Sequence, residues 1–188
     1  MKFPAKEGDL MNTGRTALTL AMTAMPILIA SSSLALSAEL NGRVFAIDGD
    51  TLEMRIRLHG IDAPERTQLC RGGNGLPYPC GAKAKSALKD FVARRTIDCV
   101  QVDRDTYGRP VATCSVDGFD LGEWLVRSGL ALDWPKHSKG RYDAAQREAQ
   151  EAKRGMWAGS FVKPWLYRRC IKSGRQPGEC SGNTNAHP

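Results

Sequence analysis

The order of elements along this 188-residue chain predicts an α+β fold, mainly β: a five-stranded Greek-key barrel of the OB type with about three α-helices. Three observations carry that expectation. Short strand-like segments come first, a helix is inserted after the third, and two further strands precede the remaining helices. Regular strand-helix alternation, the mark of a parallel sheet, is missing, and no internal repeat is present.

Taken in order, "GRVFAIDGD" and "TLEMRIRL" read as strands. In the second, Leu52, Met54, Ile56 and Leu58 alternate with Thr51, Glu53, Arg55 and Arg57, giving one apolar and one charged face. "RGGNGLPYPCG" is a loop by its Gly, Pro and Asn content, and it runs into a helix, "AKAKSALKDFVARR", with Leu88, Phe91 and Val92 on one side. "TIDCVQVD" and "RPVATCSV" are two more strands, joined by the hairpin-length connection "RDTYG", where Gly108 supplies a positive φ. "DLGEWLVRSG" reads as a short helix capped by Asp120 and ended by Gly129; "RYDAAQREAQEAKRG" is a longer one ending at Gly155. The tail from Ser173 is expected to be mobile except where a disulfide holds it.

The length suits one domain with extensions, taken as residues 39–165 followed by a cysteine-containing extension at 166–188. A hydrophobic fraction of 41% and a charged fraction of 25% exclude a disordered chain. Residues 1–38 are set apart. Ala17 to Leu36 carry no charge, follow Arg15 and lead into "LALSAEL", the layout of a secretory signal cleaved near Ser37 or Ala38. The alternative is an uncleaved anchor, since about 20 apolar residues can span a bilayer; Pro26 and the Ser31–Ser33 run weigh against it. "MKFPAKEGDL" is acidic for a signal's first residues, so Met1 and Met11 both stand as starts. A periplasmic or secreted protein without stable membrane association after cleavage, and a monomer, is expected.

All six cysteines lie beyond the cleavage point, and an even set in an exported chain reads as disulfides. Pairing between sequence neighbours is expected: Cys70 with Cys80, Cys99 with Cys114 across the hairpin, and Cys170 with Cys180. Zinc is the alternative, disfavoured by the absence of C-x2-C spacing and the scatter of His59, His137 and His187. The net charge is +7; residues 1–38 carry three basic and two acidic groups, so 24 basic against 18 acidic groups, or +6, remain after cleavage. A positive field favours polyanionic partners, nucleic acid among them.

Against that charge, "IDGDTLEMRIRLHGIDAPE" gathers Asp48, Asp50, Asp62 and Glu65 around Arg55 and Arg57. Phosphodiester cleavage needs this mixture: oxygen donors for a hard cation, a base to deprotonate water, and fixed positive charge for the extra negative charge at phosphorus. Asp50 and Asp62 supply donors, Glu65 sits on a loop stiffened by Pro64, and the guanidinium fork of Arg57 matches two phosphate oxygens. Singly, each feature is more often a turn or a solvated strand arginine.

Together, "IDGDT", "RLHGIDAPE", "DTYGRPVA", "LVRSGLA" and "EAQEAKRGMW", in that order over Gly42 to Trp157, resemble the staphylococcal (micrococcal) nuclease family. The resemblance implies an exported, calcium-dependent, sugar-nonspecific nuclease on an OB fold. It places calcium on the Asp50 and Asp62 carboxylates and the Ala63 carbonyl, where the family also uses threonine. Glu65 takes the place of the general base, and Arg57 and Arg109 those of the two arginines. Family chemistry breaks the 5′ P–O bond of DNA or RNA and leaves 3′-phosphate ends. Tyr107 matches the tyrosine of the "YGR" motif and would contact the nucleotide, or else pack on the barrel. Trp134 lies near where the family places base-stacking tyrosines, and any π face can stack on a base. His59 is read as a structural or surface residue.

One departure bears on function. "TLEMRIRL" carries no turn residue where the family has a hairpin; as one strand of about 25 Å at roughly 3.3 Å per residue it would carry Asp50 away from Arg57 and Asp62. A reversal around Glu53 to Arg55 would bring them back. The alternative function is therefore a nucleic-acid-binding OB module with weak or lost catalysis. An interaction domain that uses the barrel only as a scaffold is a third reading.

Overall fold

The computed structural model describes Leu40, Gly42 and residues 44–182; the expected signal segment and the end of the C-terminal extension, residues 183–188, lie outside them. The first described strands, β1 (Val44–Ala46) and β2 (Leu52–Met54), pair antiparallel around "IDGDT", where the Ile47 N–H donates to the Thr51 carbonyl at 2.8 Å. "TLEMRIRL" is therefore not one strand. The ladder stops at Met54, Arg55 and Ile56 belong to no strand, and β3 (Arg57–Leu58) takes a parallel partner instead. Period-two alternation predicts strand wherever a face is covered, but Leu52 is 66% exposed and, within this stretch, Leu58 is the residue that packs against a core.

The rest follows as β4 (Ile61–Asp62), β5 (Cys70–Arg71), β6 (Pro77–Tyr78), α1 (Cys80–Val92), β7 (Ile97–Arg104), β8 (Pro110–Val116) and β9 (Phe119–Asp120). Then come α2 (Leu121–Arg127), β10 (Leu132–Asp133), α3 (Pro135–Ser138), α4 (Asp143–Glu151), a 3-10 turn at Gly155–Ala158, α5 (Pro164–Lys172) and α6 (Pro177–Gly182). Strand β8 is the centre. It pairs antiparallel with β7 along its length, while β3 and β9 share its other edge, at Val111–Ala112 and at Ser115–Val116. Every second β8 residue, Pro110, Ala112, Cys114 and Val116, is buried. Of these, Ala112, Cys114 and Val116 pack with Leu121 against Leu58, Leu88, Phe91 and Val92, so α1 covers the sheet with the face its sequence advertises.

The fold is mixed α and β, but among the described residues the strands form four separate sheets, β1–β2, β4–β10, β5–β6 and the four-stranded β3–β8–β7 with β9. A closed five-stranded barrel is not the pairing observed. Strands of two residues and the break at Arg55–Ile56 interrupt the ladder that closure needs.

The three expected helices are α1, α2 and α4. Asp120 caps α2 as expected, accepting from the Gly122 and Glu123 N–H groups at 2.7 and 3.1 Å, and Gly129 follows it with φ 66°. Helix α4 stops at Glu151, short of Gly155, because Lys153 already turns left-handed at φ 51°. Helices α3, α5 and α6 were not expected, and each opens on a proline: Pro135, Pro164 and Pro177. Proline suits a first helical position, where its missing N–H costs nothing. All three disulfides pair as expected, and no described cysteine is free.

Candidate active site

The site is built on the turn between β3 and β4. Gly60 adopts φ 73°, and a Cβ there would lie 3.0 Å from the Ser138 side chain, so the turn suits glycine alone. The His59 N–H donates to the Ala112 carbonyl at 2.9 Å, fixing the turn to β8. On the far side β4 pairs with β10, Asp62 opposite Leu132, and the Trp134 N–H donates to the Gly60 carbonyl at 2.9 Å. Trp134 is thereby carried under Arg57, whose guanidinium carbon lies 5.5 Å from the indole centroid.

Glu65 follows on a loop held from three directions. Gln68, wholly buried, accepts from the Glu65 N–H at 3.2 Å and donates through Nε2 to the Val162 carbonyl at 2.6 Å. The Gln68 N–H donates to the Glu65 carbonyl at 2.8 Å. Gly81 of α1 presses on that same carbonyl; a Cβ at 81 would fall 1.7 Å from its oxygen.

The second arginine comes from the β7–β8 turn. Asp105 accepts from the N–H groups of Tyr107 (2.9 Å) and Arg109 (3.0 Å), and from Arg109 Nε at 2.6 Å. Burial raises the Asp105 pKa, but the hydrogen bonds and charge of Arg109 outweigh it and hold the carboxyl below its ordinary value. A bulge between Gln101 and Asp103 precedes this turn.

These pieces meet around a cavity of about 640 Å³ whose lining includes Arg57, His59, Glu65, Asp103, Arg104, Asp105, Tyr107, Arg109, Trp134, His137, Arg168 and Lys172. Of the residues singled out in the sequence, Arg57, Glu65, Arg109, Tyr107 and Trp134 share this cavity, with Tyr107 69% exposed at its edge. Asp62 lies beside them, only 3% exposed and 3.5 Å from Arg57. Ala63 is half-buried and packs against the core around Ile61 and Tyr142. Asp50 is not brought in: it sits exposed in the β1–β2 turn, its carboxylate accepting from the Thr51 hydroxyl at 3.1 Å.

Five participants were not anticipated in the site. Asp105 had a legible signal, an Asp opening a turn that closes on Gly108. Gln68 had none, its Val162 partner lying 94 residues away in sequence, and Arg168 had only the proline that opens α5, its Asp62 partner lying 106 residues away. His59 lines the cavity with a buried Nδ1 that has no hydrogen-bond partner among the described residues. His137 stacks edge-on against Trp134, and burial followed by the charges of Lys136 and Arg57 lowers its pKa.

Arg168 of α5 changes the electrostatics most. Its Nη1 and Nη2 donate to the two Asp62 oxygens at 2.9 and 2.8 Å, and Nη1 also donates to Glu65 Oε1 at 2.9 Å. Burial opposes its charge, yet these bonds raise its pKa above the ordinary arginine value. Set against a hard cation, which takes six to eight oxygen ligands, the donors as arranged do not fit. Both Asp62 oxygens are bound to a guanidinium, a second guanidinium is adjacent, and Asp50 is elsewhere. Among the described residues no group of three or more His, Cys, Asp or Glu side chains converges to hold a metal ion.

Residues 55–159 match the family described as staphylococcal nuclease homologue. The match opens at Arg55, after Asp50, and closes before α5. Over 121 residues the chain is 42% identical to the "Succinoglycan biosynthesis protein ExoI" of Rhizobium meliloti (strain 1021), covering 62% of this chain and 63% of that one. It is 33% identical over 144 residues to an "Uncharacterized endonuclease" of Escherichia coli O157:H7, covering 71% and 88%. A "Probable staphylococcal-like nuclease CAN1" of Oryza sativa subsp. japonica is 35% identical over 123 residues, 64% of this chain and 34% of the rice protein. The chain thus spans less than two thirds of the Rhizobium relative and about a third of the rice one. With Arg57, Glu65 and Arg109 all lying inside the matched segment, which spans more than half of the chain, the chain belongs to the staphylococcal nuclease homologue family.

Proposed function

We propose that the protein is a nuclease that hydrolyses the phosphodiester bonds of DNA or RNA in the Arg57–Glu65–Arg109 cavity. The carrying observation is that three residues from two separate segments line one cavity beside an indole face. Glu65, 42% exposed in its side chain, meets solvent from a loop fixed by Gln68 and Gly81, as a base acting on water must. Water loses a proton to Glu65 as its oxygen bonds to phosphorus, and the opposite P–O5′ bond breaks. The departing 5′ oxygen takes a proton from solvent, and the phosphate remains on the 3′ side. Arg57 and Arg109 pair with the charge that builds on the phosphoryl oxygens. Trp134 and Tyr107 offer π faces to the flanking bases.

Calcium is the cation the family resemblance brings, with Asp50, Asp62 and the Ala63 carbonyl as its donors; no step above is routed through it, because the donors as arranged do not fit. Three disulfides suit an oxidising compartment, which supports export to the periplasm or beyond. The place of Asp50, outside the cavity, favours the second reading, a nucleic-acid-binding module with weak catalysis.

Incubating residues 39–188 with 5′-labelled single-stranded DNA, in calcium and in EDTA, tests the proposal. Shortened products carrying a 3′-phosphate are expected, and their suppression by EDTA would assign the step to the cation the family resemblance brings. Salt-sensitive binding without products selects the second reading, and neither binding nor products overturns both.

A further inference from the structure

The sharpest disagreement between the family's chemistry and this chain is Arg168. It stands outside the family-matched segment, on α5, and its guanidinium sits on the two carboxylates that family chemistry would leave to a cation and a base. Its placement is built. Tyr167 beside it is buried and hydrogen-bonded to Thr67 at 2.9 Å, the Val162 carbonyl just before α5 receives Gln68 at 2.6 Å, and the Leu69 N–H donates to the Ser181 hydroxyl at 3.0 Å. The Cys170–Cys180 disulfide ties α5 to α6. Helix α5 is thus bonded to the loop that carries Glu65, so Arg168 is delivered to Asp62 by a scaffold.

We propose that Arg168 is a tethered cation that holds Asp62 and Glu65 against a divalent cation, so that the site as built does not fit the metal the family resemblance brings. The reason is chemical exclusion. Two N–H groups take one lone pair on each Asp62 oxygen and orient the carboxylate toward the guanidinium. A hard cation needs the same carboxylate at about 2.3 to 2.6 Å, and a guanidinium that close to a dication is repelled in a site where Asp62 is 3% exposed. Without metal, Arg168 neutralises a buried carboxylate that would otherwise be costly to keep charged. The inference rests on reading this cavity as the nuclease site, and its readout is cation binding, so a failure of cleavage alone does not touch it.

The test is calorimetric titration of calcium into the metal-free chain, residues 39–188, with folding checked by circular dichroism. Arg168→Met is expected to bind calcium at least fivefold more tightly than wild type, and adding Asp62→Asn to it is expected to abolish the gain. A smaller gain, no gain, a loss, or a gain that survives Asp62→Asn overturns the proposal. Should Arg168→Met not fold, Arg168→Lys keeps the charge without the two-toothed fork. Calcium binding tighter than wild type in that variant supports the competition, and binding no tighter overturns it.

Discussion

The carboxylates of this site are set by neighbours far away in sequence, and at the scale of single residues the governing interactions are buried hydrogen bonds. Gln68 illustrates this. Its amide holds the Glu65 N–H on one side and the Val162 carbonyl on the other, with no exposure to water. Truncation leaves both backbone groups without partners, and each such loss costs about 1 to 3 kcal/mol. Gln68→Ala is expected to lower stability by about 2 to 6 kcal/mol, read from the urea midpoint, and to reduce hydrolysis further because the Glu65 loop loosens. Gln68 was illegible in the sequence, where a polar residue in "ERTQLC" reads as surface, since nothing local announces that its partner is Val162. Glu65 and Arg57 were legible because their motif is contiguous and packs as a unit on β3 and β4.

Among the elements, the β7–β8 hairpin shows how a turn can serve a site. Asp105 closes the turn by accepting two backbone N–H groups and then uses its second oxygen to orient Arg109. Its folded pKa lies below the ordinary carboxylate value, so its contribution is fully present above the unfolded pKa, about 3.9, and is lost as pH falls through the folded one. Asp105→Ala is therefore expected to cost about 1 to 2 kcal/mol at pH 7, and the gap from wild type is expected to narrow as pH is lowered below 4. Urea midpoints at pH 7 and pH 3 measure both. The hairpin itself was readable from "RDTYG", and so was the Cys99–Cys114 staple, whose residues face each other across the ladder. The helices α3, α5 and α6 were not, because Pro135, Pro164 and Pro177 look like breaks when no capping residue precedes them. Read as first helical residues, they would have revealed α5, and with it Arg168.

Over the whole molecule, the strand-first, helix-later order was visible in the sequence, whereas closure into a barrel was not. Closure depends on tertiary partners, and the pairing of β3 with β8 rather than β2 is decided by a buried edge that no local pattern encodes. The same break leaves Asp50 in an exposed turn, so the acidic stretch that looked like one ligand set divides into a surface hairpin and a buried, arginine-clamped half. Residues from β3, the Glu65 loop and the β7–β8 turn nonetheless converge, which is what a phosphodiester-cleaving cavity requires. The central claim is that Glu65 activates water there. The most direct measurement is the single-turnover rate of single-stranded DNA hydrolysis by Glu65→Gln against wild type, at saturating protein. A fall of about 10² to 10⁴ in rate, with binding affinity and urea midpoint near those of wild type, is the result expected for loss of a general base. A Glu65→Gln rate within threefold of wild type would contradict it.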